Sequence, residues 1–156
     1  MIKIALAAII LSLAVFPSPV KTSLLDIPDD LHNEYTCMSL ALHYEARGEG
    51  TKGMIAVANV ILNRVNHSQF PDTICEVVKQ RHKKTCQFSW VCNPTTTRKE
   101  PNISFSARLI AYEAVINRSL RDVTNGALFF HTTAISPVWS ATKRMTARIG
   151  NHLFYK

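Results

Sequence analysis

The sequence contains no CxxC pair, no HExxH, no tandem repeat and no low-complexity tract. Each absence narrows the field. Without CxxC, zinc folds built on closely spaced thiolates rank low, and without HExxH a helical metallohydrolase site has no local signature. No metal-carboxylate cluster and no paired catalytic histidines mark a secreted nuclease. Solenoids and propellers are excluded by the lack of a period, and a chain that is 47% hydrophobic and 19% charged is not disordered by default. Its 156 residues suffice for one core and a short appendage.

Long hydrophobic runs are scarce too. The one present is IALAAIILSLAVF, residues 4–16, with Lys3 before it and Pro17 and Pro19 after it. It is shorter than the about 17–25 residues of a stable span, and its positive start matches a secretory signal. A buried helix of this composition would need cover on every side. Neither AVF nor SPV has the small-x-small pattern of a cleavage site. Residues 1–22 are therefore expected to be a signal peptide or signal anchor, with membrane contact through residues 4–16.

What the sequence does contain agrees with export. Cys37, Cys75, Cys86 and Cys92 form an even set, for which an oxidising compartment favours disulfides. The short CQFSWVC loop suggests Cys86–Cys92, which leaves Cys37–Cys75. The formal net charge is +7, with basic runs at 79–84, 98–99 and 143–148. For an exported protein this points to an anionic cell envelope rather than nucleic acid. A solvated basic face is the plainer reading of any single run.

The most informative stretch is HYEARGEG, residues 43–50. Upstream, Leu31, Tyr35, Met38, Leu42 and Glu45 follow steps of four and three, the spacing of one helix face. Asp29 and Asp30 suit a helix start and Gly48 a helix end. Glu45 thus continues an apolar stripe into the last turn and is expected to point inward. Desolvation and the negative end of the helix dipole both raise a carboxyl pKa, as a general acid requires. The competing reading is a structural ion pair with Arg47 or Arg64.

The next segment, KGMIAVANVILNRV, is apolar on nearly every side, which predicts a central helix wrapped by others. Asn59 and Asn63 share a face; Asn59 is expected to brace the fold, and Asn63 to brace it or to meet a ligand. FPDTICEVVKQ reads as a short helix from about Asp72, followed by a loop over 81–102. SFSARLIAYEAVINRS reads as a helix capped by Ser104, with Phe105, Leu109, Tyr112 and Ile116 on one stripe. ALFFH and NHLFYK read as short strands. In the pinned loop, Phe88 and Trp90 suit stacking on sugar rings or covering the core, and Trp139 invites the same two readings.

Six segments in order, C-x7-EARGE, GMIAVANVILNRV, FPDTICEVV, CQFSWVC, ALFFHTTAISPVW and IGNHLFY, resemble the SleB-type cell-wall hydrolases. That family is named for spore-cortex-lytic enzymes. The resemblance runs from Cys37 to Tyr155. It implies an α+β fold, a mostly helical lysozyme-like domain with a small β-sheet toward the C-terminus, over residues 30–156. It also implies peptidoglycan as substrate, no cofactor, and the first glutamate of EARGE, Glu45, as the essential residue. Glycan-cleaving members are lytic transglycosylases. One carboxyl group protonates the glycosidic oxygen between N-acetylmuramic acid and N-acetylglucosamine, then deprotonates the muramic 6-hydroxyl to close a 1,6-anhydro ring. This chain departs from the family in carrying Met54 where glutamine is frequent, and His43-Tyr44 where an aromatic–His pair often runs in the opposite order.

The candidate site is therefore Glu45 as catalyst, with Glu49, Asn63, Gln87, Phe88, Ser89, Trp90, Tyr112, His131 and Trp139 as candidate substrate contacts. Glu49 is the only nearby candidate for a second carboxylate, but Gly48 interrupts the helix between them, so a structural role is expected. Two other functions compete. An N-acetylmuramoyl-L-alanine amidase would need metal ligands, for which His131 and His152 are the nearest candidates. A non-catalytic glycan-binding domain would use Phe88, Trp90 and the basic runs, leaving Glu45 in an ion pair.

Overall fold

The structure, a computed structural model, describes residues 25–97 and 101–156; the expected export segment lies outside these residues. No described helix is long and apolar enough to cross a membrane. The chain forms α1 (His32–Ala46), α2 (Gly50–Val65) and α3 (Ile74–Lys79), then a minimal hairpin of β1 (Arg81–His82) and β2 (Thr85–Cys86). A 3-10 turn at Ser89–Cys92 and the short α4 (Pro94–Thr97) precede α5 (Phe105–Tyr112), which continues as a π turn over Glu113–Asn117. Finally β3 (Phe129–Thr132), β4 (Met145–Ile149) and β5 (His152–Tyr155) make an antiparallel sheet in the order β3-β5-β4. This is the helical α+β architecture expected.

The central helix is α2. Val57, Ala58 and Ile61 join α1, α3 and α5 in the larger core, while Ala56 and Val60 meet Ala127, Ile149 and Phe154 of the sheet half. Burial on both sides explains why the helix is apolar around most of its circumference. Its asparagines tie it to the segment before β3: Asn59 Oδ1 accepts the Val123 N–H at 3.0 Å, and Asn63 Nδ2 donates to the Ala127 carbonyl at 3.1 Å.

Local details refine the expectations. α1 stops at Ala46, and Gly50 (φ +67°), not Gly48, takes the left-handed conformation that starts the next helix. Ser104 caps α5 as predicted, accepting the Ala107 N–H at 3.2 Å. The predicted apolar stripe on α5 is only half inward. Tyr112 and Ile116 pack against the core, but Phe105 is 53% and Leu109 39% exposed. The buried face is instead Ala107, Ile110 and Ala111, because small side chains let α5 approach α1 closely.

The 81–102 stretch, read as loop, holds β1, β2, the 3-10 turn and α4, elements too short to show a period. Most of the basic run at 143–148 forms β4, an element the sequence pattern concealed. Both expected disulfides are present. Cys37–Cys75 joins α1 to α3 with Cα atoms 5.3 Å apart, and Cys86–Cys92 closes the aromatic loop with Cα atoms 5.9 Å apart.

Candidate active site

Glu45 lines a cleft of about 460 Å³ between the helices and the sheet. Helix α1 contributes Tyr44 and Glu45, α2 contributes Arg64, and the loop after β2 contributes Gln87 and Phe88. From the sheet half come Phe130, His131 and Thr132 of β3 and His152 of β5, with Ile135, Pro137 and Trp139 from the loop after β3.

Burial pushes the Glu45 carboxyl above its ordinary pKa, opposed by the Trp90 indole N–H. That N–H approaches closely enough to temper the rise, but the geometry falls short of a hydrogen bond, and Nε1 is left buried without a partner. Trp90 is held in place by stacking on Tyr44, with centroids 4.7 Å apart and planes at 22°. Thr96 completes the brace: its Oγ1 donates to the Trp90 carbonyl at 2.6 Å, and the Tyr44 hydroxyl donates to the Thr96 carbonyl at 3.3 Å. No neighbouring charge enters the Glu45 shift, so neither Arg47 nor Arg64 makes the alternative ion pair. Arg47 acts on His43 instead; burial first, and Arg47 second, lower the His43 pKa.

The sheet wall carries two histidines. His131 Nδ1 lies 2.8 Å from the Thr132 carbonyl, which can only accept, so Nδ1 holds the proton and Nε2 accepts from the Tyr155 hydroxyl at 3.0 Å. Its ring stacks on Tyr155 at 5.1 Å and meets Trp139 edge-on at 5.5 Å. His152 is buried with Nδ1 unpartnered. Burial lowers its pKa, Glu49 raises it and His131 lowers it, and the result is a depressed value. Strand register places His131 beside Leu153 and His152 beside Thr132, so the histidines are diagonal neighbours across β3 and β5. Among the described residues no group of three or more His, Cys, Asp or Glu side chains is placed to hold a metal ion.

Arg64 is 1% exposed. Its Nε donates to the Leu128 carbonyl at 2.7 Å, Nη1 has no partner, and burial lowers its pKa to about 10. The guanidinium therefore remains charged near neutrality inside a cage of aromatic rings.

Of the candidate contacts, Gln87, Phe88, His131 and Trp139 line the Glu45 cleft and Trp90 abuts it. Four lie elsewhere. Glu49 turns to the β4–β5 turn, where Oε2 accepts the Asn151 N–H at 2.7 Å and Oε1 accepts from Asn151 Nδ2 at 3.2 Å. The Asn151 backbone bond leads in holding its pKa low. The left-handed backbone at Gly150 (φ +57°) favours glycine, and a Cβ there would push the Glu49 carboxylate from its place. Asn63 spends its amide on Asp122, Thr124 and Ala127; Ser89 is exposed; Tyr112 packs on the core. Residues the sequence reading did not place as contacts are Tyr44, Arg64, Phe130, Thr132, Ile135, Pro137 and His152. Spacing hints at three of them: Tyr44 adjoins Glu45, and Phe130 and His152 lie in predicted strands. Met54, the family departure, is buried in the core.

A larger cavity, about 590 Å³, lies away from Glu45 and is lined by Asn59, Asn63, Asp122, Glu34 and Arg118 among others. Asn59, Asn63, Asp122 and Glu34 are engaged within the fold. Asp122 accepts from Thr124 and Gly126, and Glu34 accepts the Ile74 N–H at 2.6 Å.

Comparison with known proteins places this geometry in a family. A spore cortex-lytic enzyme of Oceanobacillus iheyensis is 33% identical over 129 residues, covering 80% of this chain and 42% of that protein. One from Bacillus subtilis is 31% identical over 126 residues, covering 79% and 37%. The chain thus spans less than half the length of these relatives. The catalytic domain of the germination-specific lytic transglycosylase SleB from Bacillus anthracis superposes with a TM-score of 0.67 at 30% identity, covering 83% of this chain and 100% of that one. The Bacillus cereus SleB catalytic domain gives 0.65 at 30% identity, covering 80% and 90%. The cell wall hydrolase family matches residues 48–155, a span that begins just past Glu45. By fold and by sequence, this chain belongs to the cell wall hydrolase family.

Proposed function

We propose that the chain is an exported lytic transglycosylase of peptidoglycan, with Glu45 acting alone as acid and then base. The observation that carries this reading is the Glu45 carboxyl itself. It is half-buried at a helix end, it lines a cleft, its pKa is raised, and no other described carboxylate lines that cleft. A hydrolase normally needs a second carboxyl group about 5–5.5 Å away for retention or about 6.5–9.5 Å away for inversion. Glu49, the nearest in sequence, is engaged by Asn151.

One group suffices for transglycosylation. The protonated Glu45 donates to the glycosidic oxygen between the muramic acid and glucosamine residues, and the C1–O bond breaks. The resulting carboxylate takes the proton of the muramic 6-hydroxyl, whose oxygen bonds to C1. No water is consumed and the carboxyl group returns to its starting form. Gln87, Phe88, Trp90, His131 and Trp139 are the proposed sugar contacts. The SleB catalytic domain, described as a germination-specific lytic transglycosylase, supports the assignment.

Mass spectrometry of soluble products from purified peptidoglycan tests it. The wild type is expected to release 1,6-anhydro-muropeptides, and Glu45→Gln none. Reducing-end products would replace the proposal with hydrolysis. Free stem peptides would indicate the amidase, and binding without product a glycan-binding domain.

A further inference from the structure

Two cations lack an anionic partner: Arg64, in the cleft lining, and Lys143, which reaches the cleft through Phe129 and Trp139. Arg64, wholly buried, makes one hydrogen bond, to the Leu128 carbonyl. Its Cζ lies 5.2 Å from the Phe70 ring centroid and 5.8 Å from those of Phe88 and Phe129. Lys143 stands over the same Phe129 ring, with Nζ 3.8 Å from its centroid. Neither cation has a carboxylate partner among the described residues. Phe129 in turn packs on Trp139, 5.7 Å away, which lines the cleft beside Glu45.

A buried charge without a counter-ion is costly, and ring faces offset only part of that cost. What remains is a fixed positive potential in a partly desolvated place. It attracts an anion without first having to reorganise. Glu45 does not supply the anion, since neither cation is among the groups that act on its carboxyl. The remaining lining is uncharged or histidine. The negative groups that peptidoglycan offers are carboxylates: the lactyl group of a muramic residue that bears no stem peptide, and the free carboxyls of the stem.

We propose that Arg64, Phe129 and Lys143 form a carboxylate subsite on the sheet wall of the cleft, favouring glycan strands that carry a free acid group beside the bond to be cut. The inference rests on peptidoglycan being the substrate. Lys143, half-buried over Phe129 beside the cleft-lining Trp139, makes first contact, and Arg64 supplies the field behind the aromatic wall.

The test uses three soluble glycans of equal length: stems with free carboxyls, the same stems fully amidated, and stem-free strands. Binding to the Glu45→Gln protein and kcat/KM of the wild type are measured on each. A stem carboxylate as ligand predicts that the free-acid stems bind about tenfold more tightly than the other two. A lactyl carboxylate predicts that the stem-free strands do. In either case the preference resides in KM, weakens with salt, and collapses toward unity in Lys143→Gln. Equal affinity for all three glycans, or a preference that survives Lys143→Gln, overturns the subsite. Absence of product from every glycan would count against the transglycosylase reading alone, because the binding arms still decide the subsite.

Discussion

The Glu45 cleft and the larger cavity near Asn63 differ in the opposite sense to their sizes. In the larger, on the Asn63 side of α2, Asn59, Asn63, Asp122 and Glu34 all have partners within the fold. Around the smaller, Trp90 Nε1, Arg64 Nη1 and His152 Nδ1 are buried with none. Each such atom costs about 1–3 kcal/mol when left unpaired. A fold tolerates that cost where the missing partner arrives from outside. Three of the six buried polar atoms without a partner among the described residues thus gather around the smaller cavity, and none belongs to the lining of the larger.

The sharpest way to break this comparison is Glu45→Gln. Loss of a general acid–base group is expected to lower product release by about 10²–10⁴-fold, while the cleft keeps its shape. Stability should move independently. Burial raises the Glu45 pKa in the fold, so the folded chain holds that proton to higher pH than the unfolded chain does. The stabilisation is complete below the unfolded pKa and is lost as pH rises through the folded one. Thermal melts across that window should show wild type declining more than the glutamine variant. An equal decline would mean that Glu45 is not desolvated.

Next in size are the disulfides, which belong to different halves of the contrast. By loop length alone, Cys37–Cys75, with a separation of 38, is worth about 4 kcal/mol, and Cys86–Cys92, with a separation of 6, about 2 kcal/mol. Denaturant unfolding of the paired serine variants checks that order. The smaller loop carries Gln87, Phe88 and Trp90, so its removal should also raise KM, which removal of the larger should not.

A smaller pair of effects tests the two cavities directly. Asn63→Ala should cost about 1–3 kcal/mol in stability and leave kcat/KM nearly unchanged. Trp139→Ala, which strips an aromatic face from the cleft, should raise KM about two- to tenfold. Crossed outcomes would place the substrate in the other cavity. Smallest of all, a chelator should leave the rate unchanged; loss of activity would favour the amidase.

Much of the helical half was legible because its signals are local. The four-and-three spacing from Leu31 to Glu45 shows where the carboxyl points, and continuous apolarity identifies α2 as central. The α5 face is not legible in the sequence, since a stripe of large residues carries the stronger periodic signal, whereas close packing favours alanines. β4 stayed hidden because strand pairing, not composition, makes it a strand. Arg64 and Glu49 were opaque for a related reason: their partners, Leu128 and Asn151, lie far along the chain, and nothing local announces such meetings.

The strand order β3-β5-β4 also bears on when the cleft comes into being. A ribosome delivers α1 with Glu45 early and β5 last of the three strands, yet β5 occupies the middle of the sheet. Until it threads between its neighbours, His131 has no Tyr155 to bond and the Glu49 carboxylate has no Asn151, 102 residues downstream. A chain that lacks β5 thus carries its acid but faces it with an unpaired β3 and the loop after it, a wall without His152 and with His131 untied.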